Sequence, residues 1–448
     1  MKKLIILFTA VAMFMVSCSK KLDIDPTQNV NEDLVFTSDA NIKAALNGAY
    51  DIVSNSYVLG GDMQLYSELL GADDEITWVG TFNQPDEIFS KSILTNNSYV
   101  RDTWSQSYRA INICNNILAN ISIVNAADRD RVKGEALFIR GLMYFEMVKL
   151  YAKPYSAGNT STNLGLQIVT TPTINGSITA VNLAPRSTVK ATYDQILADL
   201  TAAKPLLAND YGVYAGTYAA SAVLSRVYLQ MENFTKARDE ANVVIENSGA
   251  SLEGTYSNVF NNTSPSSEDI FVLPVTAQDG DNDLHTFWSI ADYGARDGDV
   301  EINQSHLDLY EANDDRLALF FDYGGGYYYS GKWLLQYKNI PLIRLSEMYL
   351  TRAEANFRLS TNIGDTPAND MLAIRDRAGL AAIPTTLNNI TKERHLELAH
   401  EGQRIHDVKR LRQSVDGFAY DANKLVLPIP IREINAVGPS ILIQNPGY

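Results

Sequence analysis

Thr217-Tyr-Ala-Ala-Ser-Ala-Val-Leu-Ser-Arg-Val-Tyr-Leu-Gln-Met231 and Phe234-Thr-Lys-Ala-Arg-Asp-Glu-Ala-Asn-Val-Val-Ile-Glu-Asn247 flank the short turn Met231-Glu232-Asn233-Phe234. The first segment carries Ala220, Leu224 and Tyr228, and the second carries Ala237, Ala241 and Ile245. Recurrence at three and four residues is the period of a helix with one apolar face. Alanines on that face let two backbones approach closely, and a short turn between them forces an antiparallel pair. The spacing therefore predicts two helices, 217–231 and 234–247, packed on each other.

Small residues facing a tyrosine, followed by an alanine-rich second helix, resemble one tetratricopeptide repeat, whose pairs stack on a shared core. Outward from this pair the same period predicts helices over 39–53, 106–124, 128–151, 186–207, 343–359, 366–377 and 391–412. Ser38 and Asp39 are cap candidates for the first. Cys114 lies on the apolar stripe Ile111, Leu118 and Ile121, which predicts a buried, inert thiol. Stretches rich in Gly, Asn, Ser, Thr and Tyr interrupt the helices at about 56–100, 154–185 and 250–340. The fold class expected is mostly α, with helix pairs, long loops and minor β-hairpins. A helical frame carrying long irregular excursions is a common way to present a binding surface.

The 448 residues carry 37 Lys+Arg against 52 Asp+Glu, a net charge of −15. That balance argues against a nucleic-acid partner. Two cysteines, Cys18 and Cys114, supply neither a disulfide framework nor a cysteine zinc site. Lys2 and Lys3 precede an apolar run from Leu4 to Val16, then Ser17-Cys18. The run is shorter than the roughly 20 residues that cross a bilayer core and reads as a signal peptide over 1–17. Its end resembles a bacterial lipobox, with Met15 where Leu is usual, so Cys18 is the expected lipidation site. Several acyl chains hold a protein durably at a membrane. Residues 18–32 then read as a polar leader between lipid and fold.

No motif commits the chain to catalysis. Gly326-Tyr-Tyr-Tyr-Ser-Gly331-Lys332 fits seven positions of a phosphate-binding loop, but Trp333 stands where Ser or Thr is needed. Its alternating flanks predict a glycine turn between two strands instead. Glu397-x-x-His400 is half of a di-iron motif without a second half, and His395, His400 and His406 share no helix face at zinc spacing. Glu393, Arg394, Glu397, Glu401, Arg404, Asp407 and Arg410 read as a helix-borne ion-pair network. Asp279, Asp281 and Asp283 alternate as in a calcium loop but lack its glycine and distal glutamate. No catalytic residue, metal ligand or cofactor is therefore expected. Abundant carboxylates leave a glycosidase pair open.

Aromatic residues in the excursions are the remaining signal. Trp78 follows Asp73-Asp74-Glu75, and Trp288 precedes Asp292, Tyr293 and Arg296. Flat rings cover the C–H faces of sugars while Asp, Asn and Arg take the hydroxyls. Asp74, Trp78, Trp288, Tyr293 and Arg296 are accordingly the ligand-binding candidates. The alternative is that the tryptophans anchor loops onto the helices.

Fragments spread along the chain resemble the SusD/RagB family of Bacteroidetes outer-membrane lipoproteins. They include Cys18-Ser-Lys-Lys-Leu-Asp-Ile-Asp-Pro, Ala44-Ala-Leu-Asn-Gly-Ala-Tyr50, Glu135-Ala-Leu-Phe-Ile-Arg140 and Pro185-Arg-Ser-Thr-Val189. Further along come Arg344-Leu-Ser-Glu-Met-Tyr-Leu-Thr-Arg-Ala-Glu-Ala355, Ile374-Arg-Asp-Arg-Ala-Gly379, Glu393-Arg-His-Leu-Glu-Leu-Ala-His-Glu-Gly402 and Leu427-Pro-Ile-Pro430. The resemblance implies an N-terminal helical region over 33–250, a C-terminal region over 251–448, and one compact unit. It also implies a non-catalytic nutrient-binding lipoprotein on the extracellular face of the outer membrane. Such a protein works as a lid with a SusC-like TonB-dependent transporter, most often on an oligosaccharide. The open alternatives are a peptide or other nutrient on the same architecture, and an envelope scaffold of helical repeats.

Overall fold

The computed structural model describes residues 36–173, 183–209, 212–278 and 282–448. The signal peptide, Cys18, the leader 18–32, Asp279 and Asp281 lie outside the described residues.

The N-terminal helices are α1 (Asp39–Ser54), α2 (Asp62–Leu70), α3 (Asn83–Phe89), α4 (Ser98–Ala119), α5 (Ala126–Tyr151) and α6 (Val189–Ala203). Ser38 caps α1 by accepting from the Asn41 N–H at 3.2 Å, as its position predicts. Helix α5 is the hub: nearly every residue from Gly134 to Tyr151 is buried, because α1, α4 and α6 cover different sides of it. Cys114 faces this core, and burial pushes its thiol up to about 12. The predicted pair is present as α7 (Thr217–Gln230) and α8 (Phe234–Asn247), with Ala220, Ala237 and Ala241 fully buried between neighbours.

After α8 come α9 (Asp283–Trp288), α10 (Gln304–Leu307), α11 (Leu345–Leu359), α12 (Pro367–Arg377), α13 (Leu387–Glu397), α14 (Arg404–Arg410) and α15 (Ile431–Val437). Helix α11 packs on α8, α12 and α13, so the C-terminal helices extend the layer begun by α7 and α8. A clasp ties residues 443–445 back onto the hub. Arg186 donates to Asn445 Oδ1 at 2.8 Å, and Asn445 Nδ2 donates to the Tyr151 carbonyl at 2.9 Å.

One predicted helix is two. The 391–412 segment breaks at 398–403 because His400 (φ 62°) and Gly402 (φ 80°) turn left-handed. A Cβ on Gly402 would lie 2.7 Å from the Gln64 backbone, so α2 packs into the break. His400 is thus outside the helix that the Glu-x-x-His spacing assumed.

Among the described residues, six short strands complete the fold: β1 (Ile76–Trp78), β2 (Asp269–Leu273), β3 (Val300–Ile302), β4 (Phe320–Asp322), β5 (Tyr328–Ser330) and β6 (Ile340–Arg344). Four form an antiparallel sheet in the order β1-β3-β5-β4, while β2 pairs with β6. A glycine turn joins β4 to β5, with Gly324, Gly325 and Gly326 at positive φ, but it lies before the 326–332 turn expected, and the second strand is Tyr328–Ser330 rather than the flank from Trp333.

Candidate binding site

The β4–β5 hairpin and the loop before β3 form an open aromatic rim. Tyr293, Tyr323 and Tyr327 are 43, 45 and 54% exposed, the reverse of the buried aromatics in the helical layers. Tyr293 and Tyr323 are held in place from beneath. Phe321 meets Tyr293 edge-on at 6.0 Å and Tyr329 at 6.2 Å, and Tyr323 meets Tyr329 at 6.1 Å. Tyr329 is buried against the backbone of Gly298 (φ 73°), where a Cβ would lie 2.2 Å from its ring. Tyr323 donates its hydroxyl to Asp292 at 3.2 Å, which fixes the outer ring against the loop.

Arg296 extends the rim. Its guanidinium lies 4.0 Å from the centre of the exposed Phe82 ring, donates to Asp299 at 2.5 Å and to Thr81 at 3.0 Å. Phe82 in turn meets Phe287 at 6.3 Å, and Phe287 meets Trp78 at 5.7 Å. The rim therefore offers flat apolar faces beside a carboxylate and a guanidinium. That is the chemistry of a ligand with both C–H faces and hydroxyls.

Of the five residues singled out in the sequence, Tyr293 and Arg296 are on this rim. Trp78 is 6% exposed and serves as the buried end of the Phe82–Phe287 stack. Trp288 corrects the expectation outright: it is fully buried, stacked 4.5 Å above His400, and has no face to offer a ligand. Both tryptophans anchor loops. Asp74 is exposed but sits at the other end of β1, where its carbonyl accepts from Asn303 at 2.9 Å. The structure does not bring it to Arg296. The rim residues missed by sequence reading are Phe82, Tyr323 and Tyr327; the tyrosine run 327–329 was visible, but the turn was not oriented.

The charged C-terminal motif is internal. Arg344, with no exposed surface, donates to Glu268 at 2.6 Å, Glu397 at 2.9 Å and Glu401 at 2.8 Å, and Arg377 joins Glu268 and Glu397. The helix-borne network read from sequence is present in part, with Arg394 and Arg410 both on Asp407, and it extends to link β6, α12 and α13 with the loops 261–268 and 398–403. Lys332 donates to the Glu397 and Ala399 carbonyls and to Glu401, so the phosphate-loop reading fails in space as well as in sequence.

One cluster was invisible in the sequence. Glu75 Oε2 accepts from His306 Nδ1 at 2.7 Å and His395 Nε2 at 2.6 Å, while Arg404 donates to Oε1 at 2.8 Å. Burial alone would raise the Glu75 carboxyl, but the imidazoles and Arg404 hold it well below the usual carboxylate range. Zinc-ligand spacing along a single helix does not capture this cluster. Here the groups come from the residue just before β1, from α10 and from α13.

Comparison with known proteins fits this architecture. A family model described as starch-binding and associating with the outer membrane matches residues 20–229, and the SusD family model matches 274–448. The SusD-like protein P2 of Formosa agariphila is 25% identical, with 100% of each chain covered. A SusD superfamily protein of Bacteroides thetaiotaomicron is 25% identical with a TM-score of 0.78, covering 93% of this chain and 100% of its own. A laminarin-binding SusD-like protein shares the fold at 22% identity and a TM-score of 0.77, over 92% of this chain and 100% of its own. Two family models in sequence order, a full-length relative and a shared helical fold agree: the chain belongs to the SusD/RagB family, SusD-like carbohydrate-binding proteins associated with the outer membrane.

Proposed function

We propose that this protein captures an oligosaccharide at the cell surface without transforming it, and passes it to a SusC-like TonB-dependent transporter. The reading rests on the exposed rim of Tyr293, Tyr323 and Tyr327 beside Asp292 and Arg296. Rings held from beneath lose little freedom on meeting a sugar, which favours binding, whereas an open face limits the area buried. The outcome is weak, reversible capture, suited to hand-over. Cys18 supplies the lipid anchor, which raises the local concentration beside the transporter without added contacts.

The binding part is tested by calorimetric titration of the full chain with a panel of neutral oligosaccharides. Tyr293→Ala and Tyr323→Ala are each expected to weaken the best ligand at least about tenfold, or about 1.4 kcal/mol. Unchanged affinity in both variants removes the rim from the reading, and binding of peptides alone replaces the ligand class. The transport part is tested in outer membranes. Cys18→Ala is expected to leave the membrane fraction, and a pulldown of the wild type to recover a TonB-dependent barrel. Retention of the variant, or a pulldown without a barrel, overturns the corresponding half.

A further inference from the structure

We propose that Glu75, His306 and His395 form a zinc site that pins the sheet to helix α13. Glu75 Oε2, His306 Nδ1 and His395 Nε2 lie within 4.8 Å of one another although they come from three separate parts of the chain. Two imidazole nitrogens and one carboxylate oxygen are the donor set that suits zinc, whereas calcium takes six to eight oxygens. This inference does not depend on the carbohydrate reading.

Three further observations point to an ion here. First, the cluster walls a cavity of about 10 Å³, the size of one water, together with Glu68, His400 and Arg404. Second, His400 is 2% exposed, lines that cavity, and its Nδ1 has no hydrogen-bond partner among the described residues. Third, with His306 neutral and its Nδ1 proton on Glu75, the surrounding hydrogen bonds are one proton short. Tyr310 Oη lies 3.3 Å from His306 Nε2 and 3.1 Å from the Leu396 carbonyl, and its single proton serves only one of them.

An ion on His306 Nδ1 moves the ring proton to Nε2, where Tyr310 Oη accepts it. Tyr310 then donates to the Leu396 carbonyl, so His306 Nε2, Tyr310 and that carbonyl are all paired. His395 likewise moves its ring proton from Nε2 to Nδ1, so no proton is gained or lost in these exchanges. Arg404 already holds Glu75 Oε1, leaving Oε2 for the metal, the kind of outer support that orients zinc ligands. Glu75, His395 and Arg404 also line a neighbouring open cleft of about 480 Å³, which gives an ion a route to the cluster from solvent.

The full chain without an affinity tag, stripped by a chelator, is titrated with zinc chloride by calorimetry. One equivalent per chain is expected, with an upward shift in Tm. His395→Gln, at a partly exposed position, is expected to weaken binding at least about 100-fold. Cobalt(II) on the wild-type chain should give the strong visible absorption of a tetrahedral nitrogen and oxygen site, and that measurement stands even where a variant misfolds. The absence of a saturable site in the wild type overturns the proposal. So does stoichiometric binding retained by both His395→Gln and Glu75→Gln, or calcium binding in preference to zinc.

Discussion

The tyrosine rim and the arginine–carboxylate core lie within one stretch of chain but use surface-type residues in opposite ways. In the core, Arg226 and Arg394 converge on the buried Glu347, and Arg344 and Arg377 on Glu268 and Glu397. Each charge is desolvated and held in an ion pair inside the protein, so it has little to offer a ligand. On the rim the rings are supported from beneath and bare above. Buried pairs contribute little net stability over apolar packing, yet breaking one leaves an uncompensated charge. The core therefore fixes a single arrangement of the frame, and the rim keeps contact area free for something else.

The largest test of that contrast is Glu397→Ala, which leaves Arg344 and Arg377 buried and short of a partner. It is expected to lower unfolding stability by about 3–5 kcal/mol in urea titrations. A loss below about 1 kcal/mol would place the core among ordinary surface pairs.

A smaller effect is acid sensitivity. Burial alone would raise Glu347 and Asp407, but Arg226 and Arg394 on the first, and Arg394 and Arg410 on the second, outweigh it and bring both down to about 2. A carboxyl whose folded value lies below its unfolded one stabilises fully above the unfolded value, and loses that contribution as pH falls through the folded one. Their share of stability is therefore complete above about pH 4.5 and lost towards pH 2. Melting curves across that window should fall less steeply in Asp407→Asn than in the wild type. Equal slopes would contradict the pairing.

The smallest expected effect is on the rim. Tyr323→Ala and Tyr293→Ala should change unfolding stability by no more than about 0.5 kcal/mol while weakening sugar binding. A stability loss above 1 kcal/mol would make the rim part of the frame rather than its counterpart.

The helical layers were legible because each repeats an apolar stripe within one segment; the bounds of α7 and α8 depart from the reading of 217–231 and 234–247 by one residue at most. Tyr293 and Arg296 were legible as loop residues of useful chemistry. Trp288 was not, because aromatic type does not reveal whether a loop turns its ring outward or onto His400. The 398–403 break was hidden since its cause, the close approach of Gln64 to Gly402, comes from a distant helix. Glu75 and its two histidines lie 231 and 320 residues apart in the chain, beyond any periodic signal.

The clasp of Arg186 on Asn445 has a consequence for biogenesis. Residues 259 positions apart must meet before the guanidinium and the Tyr151 carbonyl have all their partners. A polypeptide emerging from its N-terminal end thus exposes an unfinished hub until nearly all of it has been delivered. Such long-range closure slows assembly and leaves sticky intermediates, so the topology itself puts the unfinished chain at risk of aggregation until its last residues arrive.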